Sequence, residues 1–445
     1  MKTHDNTITI DNLSHEGRGV GRLNGKTHFI ANALPGETVK FQFLRKKSQL
    51  VEGVATDIEN PADNRVPAKC PHYVACGGCS LQHLSSEDQL AHKQASVLEQ
   101  LEHLGGVVPK SILAPLTGPL WQYRHKARLG VKFVTKKDTV LVGFRERNGK
   151  YLMDMPRCDI LHPSLGEKIT ALRELIVSLS IKDQVAQLEA AVSADETILI
   201  LRHLAPFCDE DLAKLTTFEK THNITFYLQP GKPKTIHRLN TPDAMSYLQY
   251  QLPAFGLTLD FMPSDFTQVN PEINQKMVSL AIELLDPQPD ERILDLFCGL
   301  GNFTLPLATK AKHVTGIEGS EAMVERGYHN AKRNKLDNVD FYTQDLTQDV
   351  SDTPWAKADY DKVLLDPARS GAKEILAFVV DKKPSRIVYV SCNPSTLARD
   401  AGILVNTYGY HLNQAGIMDM FPHTAHVESI AVFDREKNRN IKPSL

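Results

Sequence analysis

A cysteine stands where an apolar run ends: Ile387-Val388-Tyr389-Val390 leads directly into Ser391-Cys392-Asn393-Pro394. A thiol on a strand-end loop is placed to act as a nucleophile once it ionises, from a free pKa of about 8.5. Two further runs end in groups suited to a ligand. Ile293-Leu294-Asp295-Leu296-Phe297 continues into Cys298-Gly299-Leu300-Gly301-Asn302, whose glycines let the backbone approach a bound molecule, and Val314-Thr315-Gly316-Ile317 ends in Glu318. A carboxylate about twenty residues beyond such glycines suits ribose hydroxyls, although the third glycine of a nicotinamide fingerprint is missing. A fourth run, Val363-Leu364-Leu365, ends in Asp366-Pro367-Ala368-Arg369. Four other cysteines, Cys70, Cys76, Cys79 and Cys158, invite a metal. On spacing alone they read first as zinc ligands, but Cys-x5-Cys-x2-Cys is not a standard zinc-finger run, and thiolates so placed also hold iron-sulfur clusters. Cys298 is expected to pack beneath the glycine loop, and the isolated Cys208 to be a small core residue.

These residues need a large scaffold. A chain of 445 residues with 42% hydrophobic and 23% charged content is a folded protein of several domains. Fifty-one basic against 53 acidic residues leave a net charge of -2, so any site for a polyanion must be a local patch. The N-terminal residues lack an apolar signal core, and no apolar run approaches the roughly 18 residues of a membrane span. A cytoplasmic protein without membrane contact is expected.

Residues 1–60 alternate apolar and polar in short stretches broken by Gly17-Arg18-Gly19 and Asn24-Gly25, which predicts a small β-barrel. Arg18, Arg22, Lys26, Arg45, Lys46 and Lys47 are candidates for one basic face; a generic structural barrel is the alternative. Ser85-Ser86-Glu87-Asp88 reads as a helix start, followed by an apolar stripe of Leu90, Val97, Leu98, Leu101 and Leu104 that ends at Gly105-Gly106. Between Trp121 and Lys150, nine Lys or Arg residues face two acidic ones, with Trp121, Tyr123, Phe133 and Phe144 interleaved. That composition suits a strand pair touching phosphates and unpaired bases, or a solvated basic face over core aromatics. From about residue 255 strand and helix alternate as in a doubly wound parallel sheet, including a helix opened by Asn270-Pro271. The division expected is therefore 1–60, 61–254 and 255–445.

The glycine loop, Glu318 and the Asp366-Pro367 loop together resemble a class I, Rossmann-like S-adenosylmethionine-dependent methyltransferase. Related enzymes acting on exocyclic amines carry an aromatic residue after the proline of the acidic loop, where this chain has Ala368. Carbon 5 of uracil fits better. It is too weak a nucleophile to take a methyl group unaided, and thiolate addition at carbon 6 produces an enolate that activates it. A base must afterwards remove the carbon 5 proton, and Glu428 in His423-Thr424-Ala425-His426-Val427-Glu428-Ser429 is the candidate.

Over nearly its whole length the chain resembles the RNA uracil-C5 methyltransferases. The likeness runs from a TRAM-like, OB-like barrel through the four cysteines to Phe266-Thr267-Gln268-Val269-Asn270, Asp295-Leu296-Phe297-Cys298-Gly299, Asp366-Pro367-Ala368-Arg369, Ser391-Cys392-Asn393-Pro394 and the segment ending in Glu428. The resemblance implies that Gln268, Phe297, Asn302, Glu318, Asp345 and Asp366 surround S-adenosylmethionine, with Cys392 as nucleophile and Glu428 as base. It implies a [4Fe-4S] cluster on Cys70, Cys76, Cys79 and Cys158 in a central α+β domain. It also implies that residues 82–118 pack on the catalytic domain. The substrate it implies is 23S ribosomal RNA, met as a single strand or with the uracil flipped out, by a monomeric enzyme. The alternatives are a transfer-RNA uracil-C5 methyltransferase and a non-catalytic RNA-binding assembly factor, the latter disfavoured because Cys392 and Glu318 are both present.

Overall fold

The computed structural model describes residues 6–46, 50–147, 149–241 and 247–435. At the N-terminus six strands form one sheet, in the spatial order Thr7–Thr9, Thr38–Lys46, Leu50–Ile58, Lys26–Ala31, Gly19–Leu23, Asn12–Leu13. Asn24 and Gly25, both at positive φ, make the two-residue hairpin turn that their types favour. Ile8, Ile10, Ile30, Val39 and Phe41 fill the barrel core. Of the basic residues expected on one face, Arg18 is paired with Glu16 and Glu52. Lys47 and the side chains of Arg45 and Lys46 lie outside the described residues.

The middle of the chain builds a second six-stranded sheet, ordered His237–Arg238, Thr225–Gln229, Thr197–His203, Val185–Val192, Lys126–Val134, Thr139–Gly143. Helices Ile169–Ser178 and Asp209–His222 accompany it, with Leu172, Leu215 and Phe218 in the core they share with the sheet. The basic stretch does form a strand pair, but several of its residues face inward. Tyr123 is buried and donates its hydroxyl proton to Pro422 O at 3.0 Å. Lys126 donates to the carbonyls of Pro263 and Asp265 at 2.6 and 3.0 Å, and Arg147 to those of Tyr73 and Cys79 at 2.9 and 2.7 Å. Backbone carbonyls thus engage these two cations. Arg128, Lys132, Lys136 and Lys137 remain exposed. Cys208 is exposed as well, contrary to the expectation of a core residue, because it stands at the N-cap of Asp209–His222 on the surface.

The C-terminal sheet contains β1 (Arg292–Leu296), β2 (His313–Glu318), β3 (Val339–Thr343), β4 (Lys362–Leu365), β5 (Arg386–Ser391), β6 (Tyr410–Met418) and β7 (Glu428–Arg435). Their spatial order is β3-β2-β1-β4-β5-β7-β6. The expectation of a parallel sheet needs one correction: β1 to β5 are parallel, but β7 runs antiparallel to both β5 and β6. Reversal brings the first residue of β7 to the edge where the parallel strands end.

Helix α1 (Ser86–His103) is capped by Ser85, whose hydroxyl oxygen accepts from Asp88 N–H at 3.1 Å. It packs against the C-terminal sheet's own helices through buried Val97 and Leu101, while Leu104, expected in the same stripe, is 62% exposed where the helix ends. Helix α2 (Pro271–Leu285) begins with Asn270 as cap and Pro271 in its first turn, and buries Ile273, Met277 and Leu285. Gly105 follows α1 and presses on helix α3 (Pro394–Gly402): a Cβ there would lie 2.5 Å from Ala398 O. Ser111–Ile112 then adds a short parallel edge to β6. The segment after the first three cysteines is thereby built into the C-terminal layer.

Candidate active site

Ser391, the last residue of β5, is paired with Ser429 of β7, and Ser429 Oγ donates to Ser391 O at 3.1 Å. Cys392 and Glu428 are the next residues outward from that pair on adjacent strands. The antiparallel turn of β7 thus puts a thiol and a carboxylate on one edge. Asp366 leaves β4 beside them, its N–H donating to Leu296 O at 3.3 Å. Asn393 links the two loops: its side-chain amide donates to Arg369 O at 2.8 Å, and its Oδ1 accepts from Ser395 N–H to start α3.

Three acidic groups here share a poorly hydrated space near one cation. Burial, reinforced by Asp366 and opposed by the Arg369 guanidinium, pushes Glu428 up to about 8. Burial also lifts Asp366 to about 7. The Cys392 thiol rises to about 11 through burial and then the negative charges of Glu428 and Asp366, with Arg369 acting the other way. At neutral pH the Cys392 thiol is therefore protonated and Glu428 mostly so, with a minor ionised fraction able to accept a proton, while Asp366 is close to half ionised. Because thiolate forms as pH rises toward 11, kcat/KM should climb about tenfold per pH unit across neutrality. A pH-rate series checks this, and a flat profile would mean that the thiol is already ionised in the free protein.

The glycine loop after β1 is strained at its entry, since Phe297 has φ +66. Gly299 N–H donates to Glu318 Oε2 at 3.1 Å, and Ser320 N–H to Oε1 at 3.0 Å, so Glu318 joins the ends of β1 and β2. Asp345 lies exposed beyond β3, where hydrogen bonds from the Thr347 N–H and hydroxyl lower its pKa. Gln268 is half-buried just ahead of α2, in the loop anchored by Lys126 and by His125 N–H donating to Val269 O. Phe266 in this loop is 73% exposed, the position of a ring open to stacking. Phe297, Asn302, Glu318, Asp345 and Asp366 therefore all fall on the carboxyl edge of β1 to β4.

Asn302 departs from the simplest expectation. Its Oδ1 accepts from Tyr250 at 2.9 Å and Asn274 at 3.1 Å, and its Nδ2 donates to Asn274 Oδ1, so its side chain braces the loop. Tyr250 and Asn274 carry no sequence signal for this role, since they lie 52 and 28 residues away. Asp295 is a further buried group, and its signal in the sequence is an acid inside an apolar strand. Thr304 donates to it at 2.6 Å, and burial raises it to about 8. Cys298 is buried with its sulfur against Gly316, where any Cβ would come within 2.9 Å.

The other four cysteines, none of them in a disulfide, line one small apolar pocket with Tyr73, Trp121, Phe144, Met155 and Ile160. Burial drives Cys79 and Cys158 up to about 12 and raises Cys70 and Cys76, so without a cation all four would be neutral. Gly78 N–H donates to Cys76 Sγ at 3.4 Å. Among the described residues, no three His, Cys, Asp or Glu side chains converge around a single ion. A mononuclear zinc site, the first reading of the spacing, gains no support from that arrangement.

The strand order, glycine loop and strand-end acids define a Rossmann-like S-adenosylmethionine-dependent methyltransferase fold, joined to an N-terminal TRAM domain. The TRAM family model matches residues 6–55, and the tRNA (Uracil-5-)-methyltransferase family model matches residues 246–436. A solved Pyrococcus abyssi tRNA (uracil-54, C5)-methyltransferase, in complex with S-adenosyl-L-homocysteine, shares the fold with a TM-score of 0.71. It is 22% identical and covers 96% of this chain and 100% of its own. Among curated relatives, the 23S rRNA (uracil(1939)-C(5))-methyltransferase RlmD of Alkalilimnicola ehrlichii is 52% identical over 96% of both chains. That of Alcanivorax borkumensis is 50% identical over 97% of both. The chain belongs to this family of 23S rRNA uracil-C5 methyltransferases.

Proposed function

We propose that the protein methylates carbon 5 of a uracil in 23S ribosomal RNA, with Cys392 as covalent nucleophile and Glu428 as the base that completes the reaction. The observation that carries this reading is the Ser391–Ser429 pairing, which sets a thiol and a buried carboxylate side by side at the edge reached by the glycine loop. Cys392 adds to carbon 6, and electron density moves to carbon 5. S-Adenosylmethionine, when bound, supplies a methyl group on a sulfonium that carbon 5 can attack. Gln268, Phe297, Asn302, Glu318, Asp345 and Asp366 are assigned to its pocket, with Glu318 receiving ribose hydroxyls and Asn302 holding the loop in shape. Carbon 6 of a stacked uracil is shielded from a thiolate, so the base must be unstacked, and exposed Phe266 is a ring on which a neighbour can stack.

Ribosomal RNA is favoured over transfer RNA because the relatives near 50% identity over almost the full chain are 23S enzymes, whereas the transfer-RNA enzyme shares only the fold. The test is methyl transfer from labelled S-adenosylmethionine to unmodified 23S and transfer RNA, with mass mapping of the labelled base. A single 5-methyluridine in 23S RNA is expected; label in transfer RNA alone would overturn the substrate.

The reading extends to a [4Fe-4S] cluster on Cys70, Cys76, Cys79 and Cys158. Supporting it are the resemblance in the four cysteine positions, the gathering of all four on one apolar pocket, and a backbone N–H directed at a cysteine sulfur. Protein purified without oxygen should contain about four irons and four sulfides with visible charge-transfer absorbance. Cys158→Ser should lose most of both and lower the melting temperature, because that ligand ties the distant strand region to the cysteine loop. Stoichiometric zinc without sulfide would refute the cluster.

A further inference from the structure

Asp419 to Val427 join β6 to β7 and end at Glu428. Most of what holds this segment lies outside its own sheet. Lys93 of α1 is buried and donates to Asp419 Oδ1 at 2.7 Å and to Phe421 O at 3.0 Å. Gln89, one turn earlier, accepts from His423 N–H at 2.9 Å while its amide donates to Leu84 O. Ser80 and Leu81, which directly follow Cys79, both donate their N–H groups to His423 O, and Ser80 Oγ accepts from Ala425 N–H. The Trp121 ring packs on His423 with centroids 4.0 Å apart.

His423 itself has φ +64. A non-glycine residue persists there only when its surroundings over-determine it. Cys392, the glycine loop and Asp366 sit on other strand ends, and the Ser391–Ser429 pair anchors Cys392 from β5, so a shift confined to this segment would act first on Glu428.

We propose that Gln89 and Lys93 are positioning residues for proton removal, holding the Asp419–His423 segment so that the Glu428 carboxylate reaches carbon 5. The proposal rests on the uracil-C5 reading with Glu428 as base. In that step Glu428 takes the carbon 5 proton, and the C–H electron pair becomes the C5=C6 double bond. The C6–S bond then breaks with its electrons returning to Cys392. Neither Gln89 nor Lys93 touches the reacting atoms, and their effect should fall on product release from the thiol alone.

The experiment uses the full-length protein, labelled S-adenosylmethionine and unmodified 23S RNA, and compares Gln89→Leu, Lys93→Met and Glu428→Gln. Single-turnover methyl incorporation and denaturant-stable protein-RNA adduct are both measured. Gln89→Leu and Lys93→Met should keep methyl incorporation but lose about ten- to a hundredfold in multiple turnover and accumulate methylated adduct. Gln89→Leu decides the matter if Lys93→Met, which strands a buried Asp419, fails to fold. If Glu428→Gln traps adduct and Gln89→Leu does not, positioning is overturned and the base assignment stands. Loss of methyl incorporation in Gln89→Leu without adduct would show a general structural role and equally overturn it. Normal turnover of Glu428→Gln would instead remove the base assignment, and the proposal with it.

Discussion

Cys392→Ala should lower turnover by more than about a thousandfold while leaving S-adenosylmethionine and RNA binding near those of the wild type. Carbon 5 of uracil has no route to sufficient nucleophilicity without addition at carbon 6, and no other described cysteine is placed to add. Cys298 is buried behind the glycine loop, and the remaining thiols belong to the apolar pocket or, at Cys208, to a distant helix cap. The alanine variant removes one half-buried side chain from a loop held by backbone and Asn393 contacts, so the fold should persist. Binding by gel shift and calorimetry, beside a labelled-methyl assay, checks the result. Residual methylation within tenfold of wild type would eliminate covalent catalysis at this residue.

What could be read before the fold was known depended on how far apart the partners lie in sequence. The glycine loop, Glu318 and Cys392 are each legible because a strand and the turn after it are contiguous, and apolar runs show where the strand stops. The helix start at Ser85 and the Asn24-Gly25 turn follow from the same local logic. Lys126 and Arg147 misled because a cation in a basic stretch gives no sign of whether it meets phosphate or a buried carbonyl. Their carbonyl partners lie up to 139 residues away. The antiparallel β7 was hidden for a related reason. Alternation and apolarity identify a strand but not its direction, yet that direction is what brings Glu428 to Cys392. His423 had no signal at all, since its positive φ is imposed by α1 and the residues after Cys79.

Glu428→Gln should separate the two halves of the reaction. Methyl transfer to carbon 5 requires the thiol and the donor but not the base, so one methyl group per protein should be incorporated. Turnover should then fall by about 10²–10⁴-fold, because the amide cannot take the carbon 5 proton and the RNA stays bonded to Cys392. A denaturing gel would show the methylated adduct. The same substitution should also change stability in a defined direction. In the unfolded chain Glu428 ionises near its ordinary value of 4.5, whereas burial in the folded protein holds its proton to about 8. Between those limits the folded state binds more protons, so raising the pH favours unfolding. Glutamine carries no such dependence. The variant should therefore match the wild type near pH 4.5 and become progressively more stable than it toward pH 8, by an amount on the order of a few kcal/mol. Melting curves across that range measure it. A wild-type protein more stable than Glu428→Gln at pH 8 would mean that Glu428 is ionised and compensated at rest, with Arg369 the nearby cation to supply the compensation.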